Sequence, residues 1–325
     1  MKNSGKQTAK PAGNARPAVS GTEAGLVVAG FGRHVLVEKE NGDRLICHPR
    51  GKKNQALVGD RVRWLPSEDE GTIEKVEPRD NLFYRQDEMR TKSFAANLDQ
   101  VLILMAAEPE FSENQLTRAL IAAEAAGICP IIALNKSDLT EPFGRAWTKL
   151  APYRAMGYQM LSLAIKPKAA GDETQTPVQS LMPLMQGKKT LVLGPSGAGK
   201  SSLTNLLIPH AQVLTAEISQ ALNSGKHTTT STTLYWIDAA RSTALIDSPG
   251  FQEFGLHHIE PMHLAAYMPD INAHAQNCKF YNCTHLHEPG CGVINELKST
   301  DKPSISASRY RLYGDLFAEL SETRY

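Results

Sequence analysis

Apolar positions along the chain change their spacing once, near residue 90. Between residues 25 and 87 they form short β-branched runs at 26–29, 34–38, 44–47, 61–65 and 72–76. Turn signals at 30–32, Asn41-Gly42 and 67–71 separate these runs. Alternation over four to six residues with such breaks predicts strands, and five of them in about sixty residues predict a small barrel. An OB-fold is the leading form, with a barrel of the SH3 kind as the alternative.

After residue 90, continuous apolar runs of strand length alternate with helical periodicity. The run 101–106 is followed by Ser112 and Gln115, a capping-box pair, and by Leu116, Leu120 and Ile121 at helical spacing up to Gly127. The unit then repeats: a strand at 130–134, a helix marked by Trp147, Leu150 and Met156, and a strand at 160–164. A helix carrying Leu181, Leu184 and Met185 leads to a last strand at 190–193. Strands that are apolar on both faces and lie between helices predict a parallel sheet covered on both sides, with ligands at the strand ends.

Flanking segments differ. Residues 1–22 hold Lys2, Lys6, Lys10 and Arg16 without an acid and little to bury, so a disordered basic tail is expected. No apolar core follows that would suit a signal peptide. The longest apolar runs, 101–107 and 131–134, fall far short of the roughly 20 residues a bilayer span needs. At the other end Ile305, Leu312, Leu316, Phe317 and Leu320 recur at helical spacing. That helix either packs on the segment before it or serves a partner. The expected division is therefore 1–22 tail, 23–90 barrel, 91–255 α/β domain and 256–325 C-terminal module.

Net charge is only +1, so any nucleic-acid surface must be local. Between residues 44 and 63 six bases (Arg44, Arg50, Lys52, Lys53, Arg61, Arg63) face Asp60 alone, with Asp43 just before them. That cluster suits phosphates or is a solvated charged loop. Of five cysteines, Cys47 and Cys129 stand alone, whereas Cys278, Cys283 and Cys291 crowd together. This argues for reduced thiols and a metal in a cytoplasmic protein.

Three motifs sit where strands end. GPSGAGKS at 194–201 satisfies G-x-x-x-x-G-K-[ST] after a strand and before a helix. Its backbone, from Gly194 through Pro195, Ser196, Gly197, Ala198 and Gly199 to Ser202, is predicted to wrap phosphates. Lys200 is predicted to reach the β- and γ-oxygens, and the Ser201 hydroxyl to coordinate Mg²⁺. NKSD at 135–138 selects guanine over adenine. The Asp138 carboxylate accepts from N1–H and the exocyclic amine, Asn135 braces the loop, the Lys136 stem covers the ring, and Ser137 completes the turn. DSPG at 247–250 adds Asp247 for a Mg²⁺ water and the Gly250 N–H for the γ-phosphate. In most guanine-nucleotide switches the phosphate loop comes first. Here NKSD precedes it, which predicts a circularly permuted GTPase.

The loop GKHTTTSTT at 225–233 offers a hydroxyl, Thr229 with Thr228 beside it, for the Mg²⁺ shell; the plain alternative is a polar loop. Phe251 stands where many GTPases carry a water-orienting Gln. Intrinsic hydrolysis is therefore expected to be slow, on the order of 10⁻⁴ per second or below. His227 is the nearest alternative for that task, or a loop histidine without one. The cluster Cys278-x4-Cys283-x-His285-x5-Cys291 suits a closed tetrahedral Zn²⁺ site, with His287 and His274 as competitors for the fourth position.

The permuted order, the HTTT loop, DSPGF and C-x4-C-x-H-x5-C together resemble the RsgA family of bacterial GTPases dependent on the small ribosomal subunit, across about residues 24–320. The resemblance implies an N-terminal OB-fold, a permuted P-loop GTPase domain and a C-terminal α-helical zinc module. It assigns Zn²⁺ to Cys278, Cys283, His285 and Cys291, and supports His227 as catalytic alongside Thr229 and Lys200. It implies late maturation of the 30S subunit with hydrolysis stimulated by that subunit. Expected partners are GTP, GDP and the 30S subunit with its 16S rRNA, with neither DNA nor membrane, and the chain is expected to act as a monomer. Where the family usually carries a Ser-Ala pair behind the guanine, residues 162–165 read SLAI, and 166–176 are an insertion. Because Gly250 leads directly into the cysteine module, loss of the γ-phosphate is expected to shift that module relative to the barrel. An RNA-binding module that holds nucleotide as a static ligand, and an ATP-dependent enzyme, are the competing readings.

Overall fold

In a computed structural model of the chain, the described residues are 21–51, 55–67, 70–165, 177–209, 211, 232–251, 253–299 and 303–322. The expected tail at 1–20, the insertion at 166–176 and the Thr-rich loop up to residue 231 lie outside them.

The five N-terminal runs become β1 (Glu23–Phe31), β2 (His34–Glu38), β3 (Arg44–Pro49), β4 (Arg61–Pro66) and β5 (Gly71–Val76). They close in the order β1-β2-β3-β5-β4 and back to β1. Every pairing is antiparallel except β3 with β5. That parallel pair breaks the simple meander of an SH3-like barrel and fits the OB-type closure. Val27, Val35, Val37, Cys47, Val62, Trp64 and Ile73 alternate inward to fill it. Gly71 is required where it stands, because a Cβ would lie 2.5 Å from the Cys47 sulfur and 2.8 Å from the Trp64 ring. Burial pushes the Cys47 thiol up to about 11, which leaves it protonated and inert.

The bases of residues 44–63 meet acids from β2, from β5 and from the segment after β5. Arg44 pairs with Glu38, Arg50 with Glu74, Arg61 with Asp80 and Arg63 with Glu77, at 2.8, 2.8, 3.1 and 3.3 Å. The described bases of that cluster are thus neutralised across the barrel, as the solvated-loop reading expects; Lys52 and Lys53 lie outside the described residues.

A hairpin that the pattern did not reveal follows: β6 (Leu82–Gln86) and β7 (Thr91–Ala96), a separate two-stranded sheet. Then come the alternating elements: β8 (Gln100–Ala106), α1 (Glu113–Ala125), β9 (Cys129–Asn135), α2 (Thr140–Lys149), α3 (Ala151–Ala155), β10 (Gln159–Leu163), α4 (Pro177–Met185), β11 (Lys189–Leu193), α5 (Lys200–Leu207), β12 (Thr233–Trp236) and β13 (Ala244–Asp247). The Ser112 hydroxyl caps α1 by accepting from the Gln115 amide at 3.3 Å. Strands β10-β9-β8-β11-β13 run parallel, and β12 closes the row antiparallel to β13. On its far edge β12 pairs with β1, so the barrel and the α/β sheet form one continuous sheet.

The C-terminal part holds a short 3-10 helix, Pro261–Tyr267, and helices Pro269–Ala275, Gly292–Leu297 and Ala307–Ser321. A buried polar knot fastens it to α1 and α3. The Arg309 guanidinium, 2% exposed, forks onto the Asp270 carboxylate at 2.8 and 3.0 Å. It also donates to the Thr117 hydroxyl at 2.8 Å, and its plane lies 5.1 Å from the centre of the Tyr153 ring. Thr117 meets the Tyr153 hydroxyl at 3.0 Å, which completes the network. Among the described residues no helix is long and apolar enough to cross a membrane.

Removing one partner of a buried fork strands a charge away from water. Asp270→Ala should therefore destabilise the chain by about 3–5 kcal/mol in urea unfolding. The partly exposed Arg118–Glu319 pair sets the contrast, and Glu319→Ala should cost less than about 1 kcal/mol.

Candidate functional site

β9 ends at Asn135 and β11 ends at Leu193, with β8 between them, so the loops after β9 and β11 open on the same edge of the sheet. The two motifs meet through one side chain. Asn135, 4% exposed, donates from Nδ2 to the Ala198 carbonyl of the phosphate loop at 3.0 Å. Its Oδ1 accepts from the Ile165 amide at 3.1 Å, beyond the end of β10. Ser137 donates its amide to the Leu163 carbonyl at 3.0 Å. Three loops from three strands are therefore locked together. Lys136 adopts a left-handed φ of 69° and donates its ammonium to the Glu108 carbonyl after β8. Asp138 lies half-buried in the turn that follows.

The phosphate loop needs its glycines for space as well as conformation. A Cβ on Gly194 would lie 2.2 Å from the Leu104 carbonyl oxygen, so the loop leaves β11 against the backbone of β8. Gly197 and Gly199 hold φ of 80° and 107°, and a Cβ on Gly199 would sit 2.5 Å from Asn135 Nδ2. Gly199 caps α5, whose first turn carries Ser201, exposed, and Ser202, half-buried. Pro195, Ser196 and Ala198 complete the loop, with Ser196 exposed and Ala198 buried.

Lys200 is buried, and its ammonium donates to the carbonyls of Gly194 and Pro195 at 2.8 and 3.0 Å. DSPG closes over it. A Cβ on Gly250 would be 3.1 Å from the Lys200 Nζ and 3.5 Å from the Ser196 nitrogen. Ser248, inside the motif, anchors the loop by donating to the Val192 carbonyl at 2.8 Å. Burial lowers the Lys200 pKa against the pull of Asp247; burial likewise raises that of Asp247 against the pull of Lys200. A buried ammonium beside a half-buried carboxylate offers the charges a phosphate and a divalent cation would engage.

Phe251 is buried and packs edge-on against Phe254 at 5.4 Å between ring centres. Phe254 in turn meets Phe83 and Phe94 of the β6–β7 hairpin at 5.9 and 6.0 Å. The ring at the water-orienting position thus anchors the DSPG loop in the core. Beyond it, Gln86 donates its amide to the Gly255 carbonyl at 3.1 Å and accepts from the His257 amide at 3.0 Å, a parallel bridge of Gln86 with Leu256 that carries the chain from DSPG along β6 toward the C-terminal part. His227, Thr228 and Thr229 lie outside the described residues.

The motif letters single out Asn135, Asp138, Lys200, Asp247 and the glycines, whose loops the structure brings to one edge of the sheet. The carbonyls of Ala198, Leu163 and Glu108, the Ile165 amide and the Ser248 hydroxyl escaped notice. Backbone groups have no residue signature, and a serine within D-x-x-G reads as a variable position.

The second site is the cysteine cluster. The donor atoms of Cys278, Cys283, His285 and Cys291 all lie within 4.8 Å of one another. Cys278 and Cys291 sulfurs are 3.8 Å apart, and the His285 Nδ1 is 3.3 and 3.6 Å from them. A tetrahedron with metal–sulfur bonds of about 2.3 Å and a metal–nitrogen bond of about 2.0 Å has edges of about 3.8 and 3.5 Å. The four residues fit a metal ion. His274 is engaged by Ser304 at 2.8 Å and His287 is exposed, which leaves His285 as the nitrogen of the set. Amides of Gly292 and Ile294 donate to the sulfurs of Cys278 and Cys291 at 3.3 and 3.5 Å. The C-terminal helix packs on this cluster: Tyr310 donates to the His285 carbonyl and Tyr313 to that of Thr284, both at 2.8 Å.

The family model described as RsgA GTPase matches residues 76–257. A relative from Variovorax paradoxus (strain S110), named Small ribosomal subunit biogenesis GTPase RsgA, is 72% identical over 302 residues, covering 93% of this chain and 93% of the relative. One of the same name from Paraburkholderia xenovorans (strain LB400) is 49% identical over 313 residues, covering 94% of this chain and 96% of the relative. Among solved structures, YjeQ from Thermotoga maritima superposes with a TM-score of 0.69 at 30% identity, covering 93% of this chain and 100% of that one. YloQ, described as a circularly permuted GTPase, gives 0.67 at 26% identity, covering 96% and 100%.

Asn135→Ala removes both bonds of a buried amide and should cost about 1–3 kcal/mol in denaturant unfolding. Metal analysis of the purified chain should find about one equivalent of bound metal, lost on Cys291→Ala together with cooperative unfolding of the C-terminal part.

Proposed function

This chain belongs to the RsgA GTPase family, a family of GTPases involved in ribosome biogenesis, and from that premise we propose that it hydrolyses GTP to GDP and phosphate on the 30S ribosomal subunit. Subunit binding stimulates turnover, and hydrolysis marks a late step of the subunit's maturation. The observation that carries the reading is the Asn135 bridge to Ala198, which brings an early base-reading turn onto a later phosphate loop.

In this mechanism the Asp138 carboxylate accepts from guanine, a demand adenine cannot meet, and Asn135 holds the turn at a fixed distance from the phosphates. Lys136 flanks the ring. The Ala164 amide lies between Leu163, bonded to Ser137, and Ile165, bonded to Asn135, and serves as the group behind the base. Amides of the 194–202 loop bind the phosphates, and the Lys200 ammonium exchanges the Gly194 and Pro195 carbonyls for β- and γ-oxygens. The Gly250 amide senses the γ-phosphate. Ser201, Thr229 and, through water, Asp247 would hold a Mg²⁺ ion that neutralises charge on the phosphates. With Phe251 committed to the core, His227 positions the attacking water.

Zinc is the metal of the Cys278, Cys283, His285 and Cys291 set, since three thiolates and one imidazole form a closed structural site. The barrel at 23–90 and the module at 256–325 hold 16S rRNA on either side of the GTPase unit at 91–255, in a cytoplasmic monomer. The β6 pairing past Gly255 supports a path from the γ-phosphate to the module.

Asp138→Asn should abolish the preference for guanine, weakening GTP at least about a hundredfold relative to ATP in competition binding. Adding purified 30S subunits should raise GTP turnover, and His227→Ala should remove roughly 10²–10⁴-fold of the stimulated kcat with little change in KM. Turnover that 30S subunits leave unchanged would instead favour an RNA-binding module with a static nucleotide, the reading that the buried Phe251 keeps open.

A further inference from the structure

The barrel is fastened to the nucleotide site at two places, and one of them is a buried charge. Glu38, the last residue of β2, is 5% exposed. Its Oε1 accepts from the Trp236 indole N–H at 2.7 Å and from Arg241 at 3.4 Å. Its Oε2 accepts from the Arg44 Nε at 2.8 Å. Trp236 ends β12, and Arg241 lies in the turn between β12 and β13. Arg241 reaches further into the barrel, donating to the carbonyls of Lys39 and Glu40. Its own turn is stiff: Arg241 holds a left-handed φ of 53°, and Asp238 accepts from the amides of Ser242 and Thr243 at 3.0 and 2.6 Å.

The second fastening is a row of register partners. Ala29 of β1 faces Thr233 of β12, Thr233 faces Asp247 of β13, and Asp247 faces Val192 of β11. The Gly30 amide also donates to the Thr232 carbonyl at 3.2 Å. Thr232 and Thr233 are the end of the Thr-rich loop. The β12–β13 hairpin therefore links that loop to DSPG, and the barrel grips the hairpin at both ends.

We propose that Glu38 is a positioning residue for subunit-stimulated GTP hydrolysis, strapping the barrel to the β12–β13 hairpin so that a load on the barrel reaches Thr232, Thr233 and Asp247. A buried carboxylate with three donors from three segments holds one register, because any slip leaves a charge unpaired away from water. Rigid-body movement of the barrel is thereby converted into movement of the hairpin end where Thr233 faces Asp247. The inference rests on the proposed stimulation by the small subunit.

The test uses the full chain with Glu38→Gln and, separately, Arg241→Ala, each confirmed folded by its melting transition. Intrinsic kcat and KM for GTP should stay within about twofold of the parent, while 30S-stimulated kcat falls at least about tenfold with subunit binding retained. Full stimulation in both variants overturns the proposal. So does a loss of the same size in intrinsic and stimulated turnover, which marks a merely structural role. Hydrogen exchange in residues 23–38, compared between a non-hydrolysable GTP analogue and GDP, judges the strap without ribosomes. A nucleotide-dependent difference in the parent that disappears in Glu38→Gln supports it, and equal exchange in both nucleotide states of the parent overturns it. If 30S subunits fail to stimulate even the parent chain, the stimulated-hydrolysis reading falls, and the exchange result alone decides the strap.

Discussion

One buried carboxamide holds the nucleotide site together. Asn135 can donate and accept at once, and it uses both ends: Nδ2 on the phosphate loop, Oδ1 on the segment after β10. Neither Asp nor Leu, of similar volume, can satisfy a carbonyl and an amide simultaneously at this buried position. The distance between the base-reading turn and the phosphate cradle is therefore set by the protein rather than by a ligand. Gly199 belongs to the same constraint, because any side chain there would occupy the space of the Asn135 amide.

Permutation changes what lies downstream of that site. With the base-reading segment encoded early, the described residues after DSPG add no further strand to the parallel sheet, and the chain runs into the aromatic cluster of Phe251, Phe254, Phe83 and Phe94. The ring at position 251 has no group to orient water and instead anchors the DSPG loop in the core. Around it, Arg309, held by its fork on Asp270, ties the C-terminal part to α1 through Thr117, while the barrel is held by the β1–β12 ladder and by Glu38.

The metal cluster shows the same economy of design in a smaller volume. Cys291 is both a member of the donor set and the cap of helix Gly292–Leu297, where its sulfur accepts from the Ile294 amide. Local backbone donors stabilise the thiolate form that a metal requires. His285 holds a left-handed φ of 62° at its place in the set.

Much of this was legible in residue order. The β-branched runs marked the barrel, the apolar runs marked the parallel strands, Ser112 and Gln115 marked the start of α1, and the motif letters marked Asn135, Asp138, Lys200, Asp247 and the cysteine set. These signals are local: periodicity, caps and turns act within a few residues, and side-chain chemistry travels with the letter. What only the tertiary structure decided were relations between distant segments. They include the parallel β3–β5 pair that makes the barrel OB-like, the carboxylates that neutralise Arg44, Arg50, Arg61 and Arg63, the choice of His285 over His274 and His287, the burial of Phe251 and the strap at Glu38. Each depends on which surfaces close on one another, and the free energy of that closure belongs to pairs of segments, so no single stretch of sequence displays it.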